Sequence, residues 1–442
     1  MAQSLLQYRV NHLPGAARNA AERNQSGARF PWESAFTGEE TAPYTPCGDR
    51  ELHVNGDIAV AVWQFWRAFK DASADWLEAT AWPLLSSIAT WWMSKLAQDN
   101  AGEPAGAPLS ILDVMCPDEY ADHVNNSAYT NAVTFFTLTY AATVGELLGK
   151  PAGSLAAWRD AAARITRPAN PALNFTPEYD GYRPGQTIKQ ADVILMGFPL
   201  QAPWLDAAQR ARDLQYYATV TDGGGPAMTW GMFAIGYISL GVGFEAAAAK
   251  NFNRSYSNAQ PPFLVWTETP TGGTPNFLTG AGGFLQTAFF GYSGLRVGDD
   301  NMTIAPSVAA PELTSIVRLR GISYLGCRID IAINFGAATL SVGVEAPMSP
   351  AEAAAADAAG VPPPGGGGGG GGRGGRSSHR RSLAPREPLS RRSQRGRVLV
   401  GSRVVSAREL ELVDAAGVAH ALTPGVPVSL PLPQAVTVRE VA

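Results

Sequence analysis

The sequence predicts a mainly α-helical protein that ends in a small β-domain. Up to about residue 290, apolar residues recur at the three- and four-residue spacing of helices. Beyond that point the period changes, and 329–335 alternates strictly between apolar and polar positions, as a half-buried strand does. The chain has 442 residues, of which 45% are hydrophobic and 16% charged, so it can build a sizeable core and more than one domain.

Four segments carry the helical pattern. In 57–70 the apolar residues fall on one face and Asp57 is a plausible N-cap. The segments 82–96 and 125–148 repeat the pattern, and a further helix is expected from about 227 toward 250. Residues 1–290 are therefore predicted to form one helical domain with Gly- and Pro-rich loops.

The C-terminal β-domain is predicted from two pieces of sequence, 291–348 and 397–442. Besides 329–335, short strands are expected at 313–319, 397–405 and 436–441.

Residues 349–396 separate the two pieces and contain an eight-glycine run at 365–372, followed by Arg and Ser. With so little apolar surface to bury, this segment is predicted to be a disordered insertion. Its arginines could bind nucleic acid or another acidic surface, but a solvated insertion between strands is the favoured interpretation.

Charge and cysteine content exclude several classes of protein. A net charge of −4 and a pI of about 5.8 argue against an overall nucleic-acid binder. The three cysteines, Cys47, Cys116 and Cys327, form neither a disulfide framework nor a CxxC metal pattern. No signal peptide opens the chain and no apolar stretch suits a membrane span, so we expect a cytoplasmic location and no membrane partner.

Segment 117–131, PDEYADHVNNSAYTN, concentrates polar side chains between two apolar-periodic segments. Cleavage of a glycosidic bond needs one carboxylic acid to protonate the leaving oxygen and a second carboxylate to activate water or to attack carbon. Asp118, Glu119 and Asp122 are all candidates for the acid. The same pattern also fits a helix-capping cluster with surface acids.

Three other segments offer candidate residues. Glu268 follows Trp266 in a Gly-rich stretch, 261–284, where it either faces a cleft or is an ordinary loop residue. Lys189 and Gln190 stand at the edge of an apolar segment and could bind hydroxyl groups or simply lie at the surface.

Trp32 and Glu33 lie in the segment 27–40. They could provide a platform for a sugar ring and an acceptor for its hydroxyls. The alternative is a loop whose tryptophan packs against the core.

Taken together and in order, four motifs resemble glycoside hydrolase family 65. They are GARFPWESA (27–35), PDEY with VNNSAYTN (117–131), IKQADVILM (188–196), and VWTE with NFLTGAGGFLQ (265–286). The resemblance covers roughly residues 5–290 and implies an (α/α)6 barrel followed by a small β-domain. It also implies Glu119 as the general acid, Glu268 as the second catalytic carboxylate, and Lys189 with Gln190 as the glucose-binding pair.

The family contains hydrolases and phosphorylases, and the resemblance favours hydrolysis. Phosphorylases hold phosphate with a His-Gly-Ser/Thr type of segment, whereas this chain has GPAMTW at 225–230 and TGAGGF at 279–284. The expected reaction is inverting hydrolysis of a terminal α-linked glucose, from a disaccharide or a glucosylgalactosyl-hydroxylysine type of glycoconjugate. It requires no metal or organic cofactor.

The resemblance also implies a Trp-Asp-Thr-Glu type of segment and a β-sandwich upstream of the point where this sequence starts. The barrel is therefore expected to be incomplete at its N-terminus. This leaves two alternatives to hydrolysis, a disaccharide phosphorylase and an inactive glucoside-binding remnant. The sequence does not specify the aglycone or the oligomeric state.

Overall fold

Helices make up most of the chain up to residue 292, and strands make up most of the C-terminal part. The structure is a computed structural model that describes residues 2–69, 74–312, 314–345, 409–432 and 434–441. The change from helix to strand agrees with the change of period in the sequence.

The helical part consists of α-helices and three shorter helical turns. The α-helices are α1 (Ala2–Asn11), α2 (Leu13–Ala21), α3 (Thr45–Arg50), α4 (His53–Ala68), α5 (Ala74–Trp76), α6 (Trp82–Asp99), α7 (Ala128–Leu147), α8 (Ala152–Arg164), α9 (Ala207–Val220), α10 (Met228–Leu240), α11 (Glu245–Ser255) and α12 (Leu278–Gln286). The turns are π-helical at Leu77–Ala81 and Thr287–Tyr292 and 3-10 at Val193–Met196. In the described ranges, none of these helices combines the length and apolarity needed to cross a bilayer.

The helices predicted over 57–70, 82–96 and 125–148 are present as α4, α6 and α7. The N-cap predicted at Asp57 is wrong, because α4 begins four residues earlier, at His53. Asp57 instead lies inside the helix, where its carboxylate accepts a 2.7 Å hydrogen bond from the Tyr129 hydroxyl of α7. Helix α7 is capped by Ser127, whose hydroxyl oxygen accepts the Thr130 N–H at 3.2 Å.

The single helix predicted from 227 toward 250 is also wrong. Two helices, α10 and α11, occupy that stretch and are separated by Gly241 and Gly243, both at positive φ. Glycine adopts this left-handed backbone without a steric penalty, so the chain turns there and helix α10 ends. The apolar period continues across the turn because both helices bury a face.

The helical core is built around α7 and α10, which are buried along most of their length. Helix α7 packs against α4, α6 and α8, and α10 packs against α9, α11 and α12. Helix α6, which packs against α7, contributes Trp91 and Trp92, and both are completely buried. Burial of such large aromatic rings contributes a major part of the hydrophobic driving force.

Strands form a small hairpin sheet and two larger antiparallel sheets. The strands are β1 (Ala259–Gln260), β2 (Val265–Thr269), β3 (Gly272–Pro275), β4 (Arg296–Val297), β5 (Met302–Ile304), β6 (Ile316–Tyr324), β7 (Cys327–Asn334), β8 (Thr339–Val344), β9 (Leu410–Val413), β10 (Ala419–Ala421), β11 (Val428–Pro431) and β12 (Val436–Glu440). The small sheet has the order β1-β2-β3, and the larger sheets have the orders β10-β9-β12-β5-β4 and β11-β8-β7-β6.

Strand β7 confirms the strict alternation read in 329–335. Its residues Ile329, Ile331 and Ile333 are buried and alternate with more exposed positions. The strand predicted at 436–441 is β12, and the one predicted at 313–319 is β6, which begins later and runs five residues further. The strand expected at 397–405 and the insertion expected at 349–396 lie outside the described residues.

Glycine at position 56 sets the distance between α4 and α7. A Cβ at Gly56 would lie 2.4 Å from the Cβ and Cγ2 atoms of Val133. We predict that Gly56→Ala lowers the melting temperature, because overpacking at a helix contact costs about 1–3 kcal/mol and exceeds the roughly 1 kcal/mol gained in helix propensity. Gly153→Ala in α8 is the matched control, since its added Cβ meets nothing within 4 Å. Thermal unfolding followed by circular dichroism should show a drop only for the first variant, and equal melting temperatures would contradict the packing argument.

Candidate active site

The loop between residues 117 and 127 is held at the N-terminal end of α7 by an ion pair. Arg50, at the end of α3, donates two hydrogen bonds of 2.5 and 2.7 Å to the carboxylate of Asp122. The guanidinium lowers the pKa of Asp122, which stays ionised and anchors the loop. Of the three carboxylates proposed from sequence, Asp122 therefore has a structural partner rather than an open face.

Asp118 is completely buried beneath the same loop. Its Oδ1 accepts the backbone N–H of Lys189 at 2.6 Å and that of Tyr120 at 3.2 Å. Its own N–H donates to Asp192 Oδ2 at 3.1 Å. Asp118 thus joins two segments that lie about seventy residues apart in the chain, and it is not free to meet a substrate.

Asp118 belongs to a cluster of three buried carboxyl groups, with Glu178 and Asp192. Burial raises the pKa of Asp118 to about 6 and that of Asp192 to about 7. Burial, together with the charges of Asp192 and Asp118, also raises the pKa of Glu178. One or more oxygens of each carboxyl have no donor among the described residues, so protons held between the carboxyl groups must satisfy them.

Glu119 is the carboxylate of this loop that faces outward to another polar group. Its Oε2 lies 2.8 Å from the Nζ of Lys189, and each of the two side chains keeps about a quarter of its surface exposed (25% and 22%). Burial disfavours the Lys189 ammonium, but the carboxylates of Glu119 and Glu268 together outweigh this, so the pKa of Lys189 is raised. Lys189 therefore links Glu119 and Glu268 electrostatically.

Glu268 lies on a strand, which corrects the expectation that it stands on a loop. Strand β2 presents it half-buried, and strand β3 packs against it, because Thr274 N–H donates to Glu268 Oε2 at 3.1 Å. A Cβ at Gly273 would lie 2.8 Å from the same oxygen, so β3 can approach this closely because that residue is glycine. Glu268 lies between Thr267 and Thr269, where the register of β2 with β3 shifts.

Gln190 is buried, and its amide nitrogen donates to the carbonyl oxygen of Pro117 at 2.5 Å. Its Oε1 has no partner among the described residues. The half-buried Trp32 interacts through its side chain with Glu51, whereas Glu33 is exposed. In the described ranges, the Glu33 carboxylate makes no hydrogen bond or ion pair. The structure therefore brings Trp32 and Gln190 to the Glu119 region but does not tie Glu33 to it.

Sequence reasoning missed Glu51, the C-cap residue of α3. Its carboxyl, the Sγ of Cys47 and a carboxylate oxygen of Glu119 lie within 4.8 Å of one another. Burial raises the pKa of Glu51 to about 7, and the charge of Glu119 adds to this shift. No spacing in the sequence pointed to Glu51, because the contact joins residues 68 positions apart.

The two donor clusters in the described residues that could surround a metal ion are Cys47–Glu51–Glu119 and Cys116–Glu178–Asp192. In both, burial raises the pKa of the cysteine thiol, which disfavours the thiolate that a metal would need. These donors are therefore better suited to holding protons. Proton transfer between carboxyl groups and a sugar needs no metal.

Comparison with known proteins gives this geometry a context. Residues 1–185 match the model of the glycosyl hydrolase family 65 central catalytic domain. This chain carries a glycoside hydrolase family 65 domain. The family predicted from sequence is confirmed, and the matched range includes the motif that carries Glu119.

Two curated relatives illustrate what the family 65 domain is similar to. The protein-glucosylgalactosylhydroxylysine glucosidase of Mus musculus is 41% identical over 351 residues, which is 79% of this chain and 49% of the relative. A kojibiose hydrolase of Flavobacterium johnsoniae is 36% identical over 300 residues, 67% of this chain and 42% of the relative. The chain spans about half the length of the curated relatives it matches.

A solved structure agrees on the fold. A candidate kojibiose phosphorylase from the human microbiome superposes with a TM-score of 0.65 and 16% identity, over 78% of this chain and 54% of that one. At this identity the likeness concerns architecture alone. It supports the fold predicted from sequence, an (α/α)6 barrel followed by a β-domain.

The buried carboxyl cluster predicts a specific pH dependence of stability. The pKa values of its members in the folded protein lie above the ordinary unfolded values near 4, so the stability they contribute is complete below about pH 4 and is lost as pH rises through 6 to 7. In Glu178→Gln the amide keeps donating hydrogen bonds at every pH. We predict that its melting temperature falls less between pH 5 and 8 than that of the parent chain.

Differential scanning fluorimetry at constant ionic strength measures both curves. Glu103→Gln, which removes an exposed carboxylate, is the control, and its melting temperature should change with pH as that of the parent does. Parallel curves for Glu178→Gln and the parent would show that the cluster does not hold its proton in this range.

Proposed function

We propose that the family 65 domain hydrolyses a terminal α-linked glucose with inversion at the anomeric carbon. The observation that carries the proposal is the 2.8 Å pairing of Glu119 with Lys189, together with the influence of Glu268 on the same ammonium. Two carboxylates that act on the same cation could provide the acid and the base that glycoside cleavage requires. The proposed domains are a catalytic part, residues 1–290, and a β-domain contributed by 291–348 and 397–442.

In the proposed mechanism, Glu119 donates its proton to the glycosidic oxygen as the bond to the anomeric carbon breaks. Glu268 removes a proton from a water molecule, whose oxygen attacks the opposite face of that carbon and releases β-glucose. Inversion needs space for the water, so the two carboxyl groups should lie about 6.5–9.5 Å apart. Asp118 and Asp122 act only by holding the loop.

The proposed glucose contacts are Lys189, Gln190, Trp32 and Glu33. Lys189 offers further N–H donors beyond the one directed at Glu119. Gln190 offers its unpartnered Oε1, and Trp32 offers an aromatic ring beside Glu51. Glu33 is exposed, and its side chain would have to move toward the bound sugar to contact it. These residues orient the sugar and stabilise the transition state rather than react.

The proposed substrate class is based on the relatives and on the segments where a phosphate site would lie. The relatives cited are named as a glucosidase for glucosylgalactosylhydroxylysine and a kojibiose hydrolase, and both names describe loss of a glucose unit by hydrolysis. The segments at 225–230 and 279–284 provide no His-Gly-Ser/Thr type of phosphate site. We therefore favour a glucosylgalactosyl-hydroxylysine type of substrate, with water as the attacking group.

A pair of variants distinguishes the two carboxylates. Glu119→Gln should lower turnover of kojibiose or of the hydroxylysine-linked disaccharide by about 10²–10⁴-fold, because the leaving oxygen is no longer protonated. The same variant should retain hydrolysis of α-glucosyl fluoride, whose fluoride leaves without an acid. Glucose release measured enzymatically on both substrates checks this. Equal losses on both substrates would remove Glu119 from the role of acid.

Glu268→Gln should behave differently, because the attacking water lacks a base for every substrate. We expect a comparable loss on both the disaccharide and the fluoride, and restoration by azide with β-glucosyl azide as the product. Mass spectrometry and the anomeric coupling constant identify that product. An α-linked azide, or no effect of the substitution, would contradict the assignment of Glu268.

The stereochemistry of the parent reaction separates hydrolysis from phosphorolysis. Proton NMR of the first turnovers should show β-glucose before mutarotation, at a rate independent of added phosphate. Formation of β-glucose-1-phosphate in phosphate buffer would establish the phosphorylase alternative instead. Saccharide binding without either product would identify an inactive glucoside-binding protein.

A further inference from the structure

The pairing that supports the proposed function also poses a chemical difficulty. A carboxyl group 2.8 Å from an ammonium favours its ionised form, yet a general acid must carry a proton when the substrate arrives. Some other feature of the site must oppose Lys189. The described residues around Glu119 offer one group able to do so.

That group is Glu51. Its residue is only 8% exposed, its Oε1 has no hydrogen-bond partner in the part of the chain that the structure describes, and its carboxyl lies within 4.8 Å of Glu119. The C-cap geometry of α3 fixes its position, because Glu51 N–H donates to the Cys47 carbonyl at 3.0 Å. Two carboxyl groups this close, one of them buried, favour holding one proton between them over both ionising.

We propose that Glu51 is a positioning residue that keeps a proton at the Glu119 carboxyl and returns it after each turnover. This inference rests on the proposed function, since it concerns how Glu119 works as an acid. Two oxygens up to 4.8 Å apart can be bridged by a single water molecule at ordinary hydrogen-bond distances. The proton then has a short path between the two carboxyl groups.

The proton balance of a cycle is closed. Glu119 gives the proton that the pair holds to the leaving oxygen as the bond to carbon breaks, and both groups of the pair are then carboxylates. The attacking water delivers its hydroxide to carbon and its proton to Glu268, which releases that proton to solvent. One proton from solvent enters at Glu51 and passes through the bridging water to Glu119.

The titratable groups around the pair come from four segments. Lys189 contacts Glu119 from the 186–193 segment, and Glu268 on β2 raises the pKa of Lys189. Cys47 on α3 is neutral, since burial raises the pKa of its thiol. His53, whose Nε2 lies 3.6 Å from Glu51 Oε2, is also neutral, because burial lowers its pKa to about 4. Lys189 is thus the cation that Glu51 must offset.

The test is the pH profile of kcat/KM for Glu51→Gln, measured on the 442-residue chain with kojibiose. The alkaline limb reports loss of the last proton from the pair. With a neutral amide at position 51 that proton is held by Glu119 beside Lys189 alone. We expect the limb to move to lower pH by about one unit or more, while turnover at the acidic end is retained. Glu146→Gln, an exposed carboxylate paired with Arg159, is the control and should leave the profile unchanged.

A second measurement does not depend on turnover. In protein labelled with 13C at glutamate Cδ, the resonances of Glu51 and Glu119 are assigned by their loss in the two Gln variants. They should titrate together, and the Glu119 resonance in Glu51→Gln should titrate at lower pH than in the parent. An unmoved limb with the fold retained, or two carboxyl groups that titrate independently, overturns the proposal. Absence of turnover in the parent counts against the proposed function, and the NMR titration then decides the inference separately.

Discussion

The site depends on one buried carboxyl group, that of Asp118. Its oxygen accepts the backbone N–H of Lys189. The loop that carries Glu119 therefore cannot separate from the segment that carries Lys189 without breaking this buried hydrogen bond and leaving its donor and acceptor unpaired. The adjacent residues on the two segments, Glu119 and Lys189, are then side by side. The ion pair between Glu119 and Lys189 is therefore a consequence of the buried hydrogen bond between Asp118 and the Lys189 backbone.

Burying this carboxyl has an electrostatic consequence. Asp118, Glu178 and Asp192 lie together, and burial outweighs the charge of Lys189 on Asp118, so the pKa of each carboxyl is raised and the cluster is suited to holding protons. Glu51 and Glu119 form a second set of carboxyl groups, in which Glu51 is buried and Glu119 is partly exposed and meets Lys189. The molecule thus contains two sets of acidic groups, one that fixes the loops and one suited to exchanging a proton with a ligand.

Much of this architecture could be predicted from sequence, and the failures have physical causes. The period of the apolar residues identified α4, α6, α7 and β7, because burial of one face imposes that period directly. It could not reveal the break between α10 and α11, where two glycines at positive φ turn the chain without interrupting the apolar pattern. Nor could it place the start of α4, which left Asp57 misread as a cap.

The candidate site was likewise predicted only in part from sequence. Local sequence narrowed the acid to Asp118, Glu119 or Asp122, and their three-dimensional partners distinguish them. Asp118 is buried, Asp122 is bound twice by Arg50, and Glu119 is paired with Lys189. Glu51 and Glu178 were not predicted, because their importance comes from contacts between distant segments. Family resemblance supplied Lys189 and Glu268, yet it gave no indication that the first residue pairs with Glu119 or that the second lies on a strand.

The most direct test of the account is a crystal structure of this chain with glucose bound. We predict a single pocket in which Glu119 and Glu268 face opposite sides of the anomeric carbon. Their carboxyl groups should lie about 6.5–9.5 Å apart, and Lys189 should donate a hydrogen bond to a sugar hydroxyl. If the two carboxyl groups opened onto separate surfaces, or touched each other with no room for water, the inverting mechanism would be contradicted.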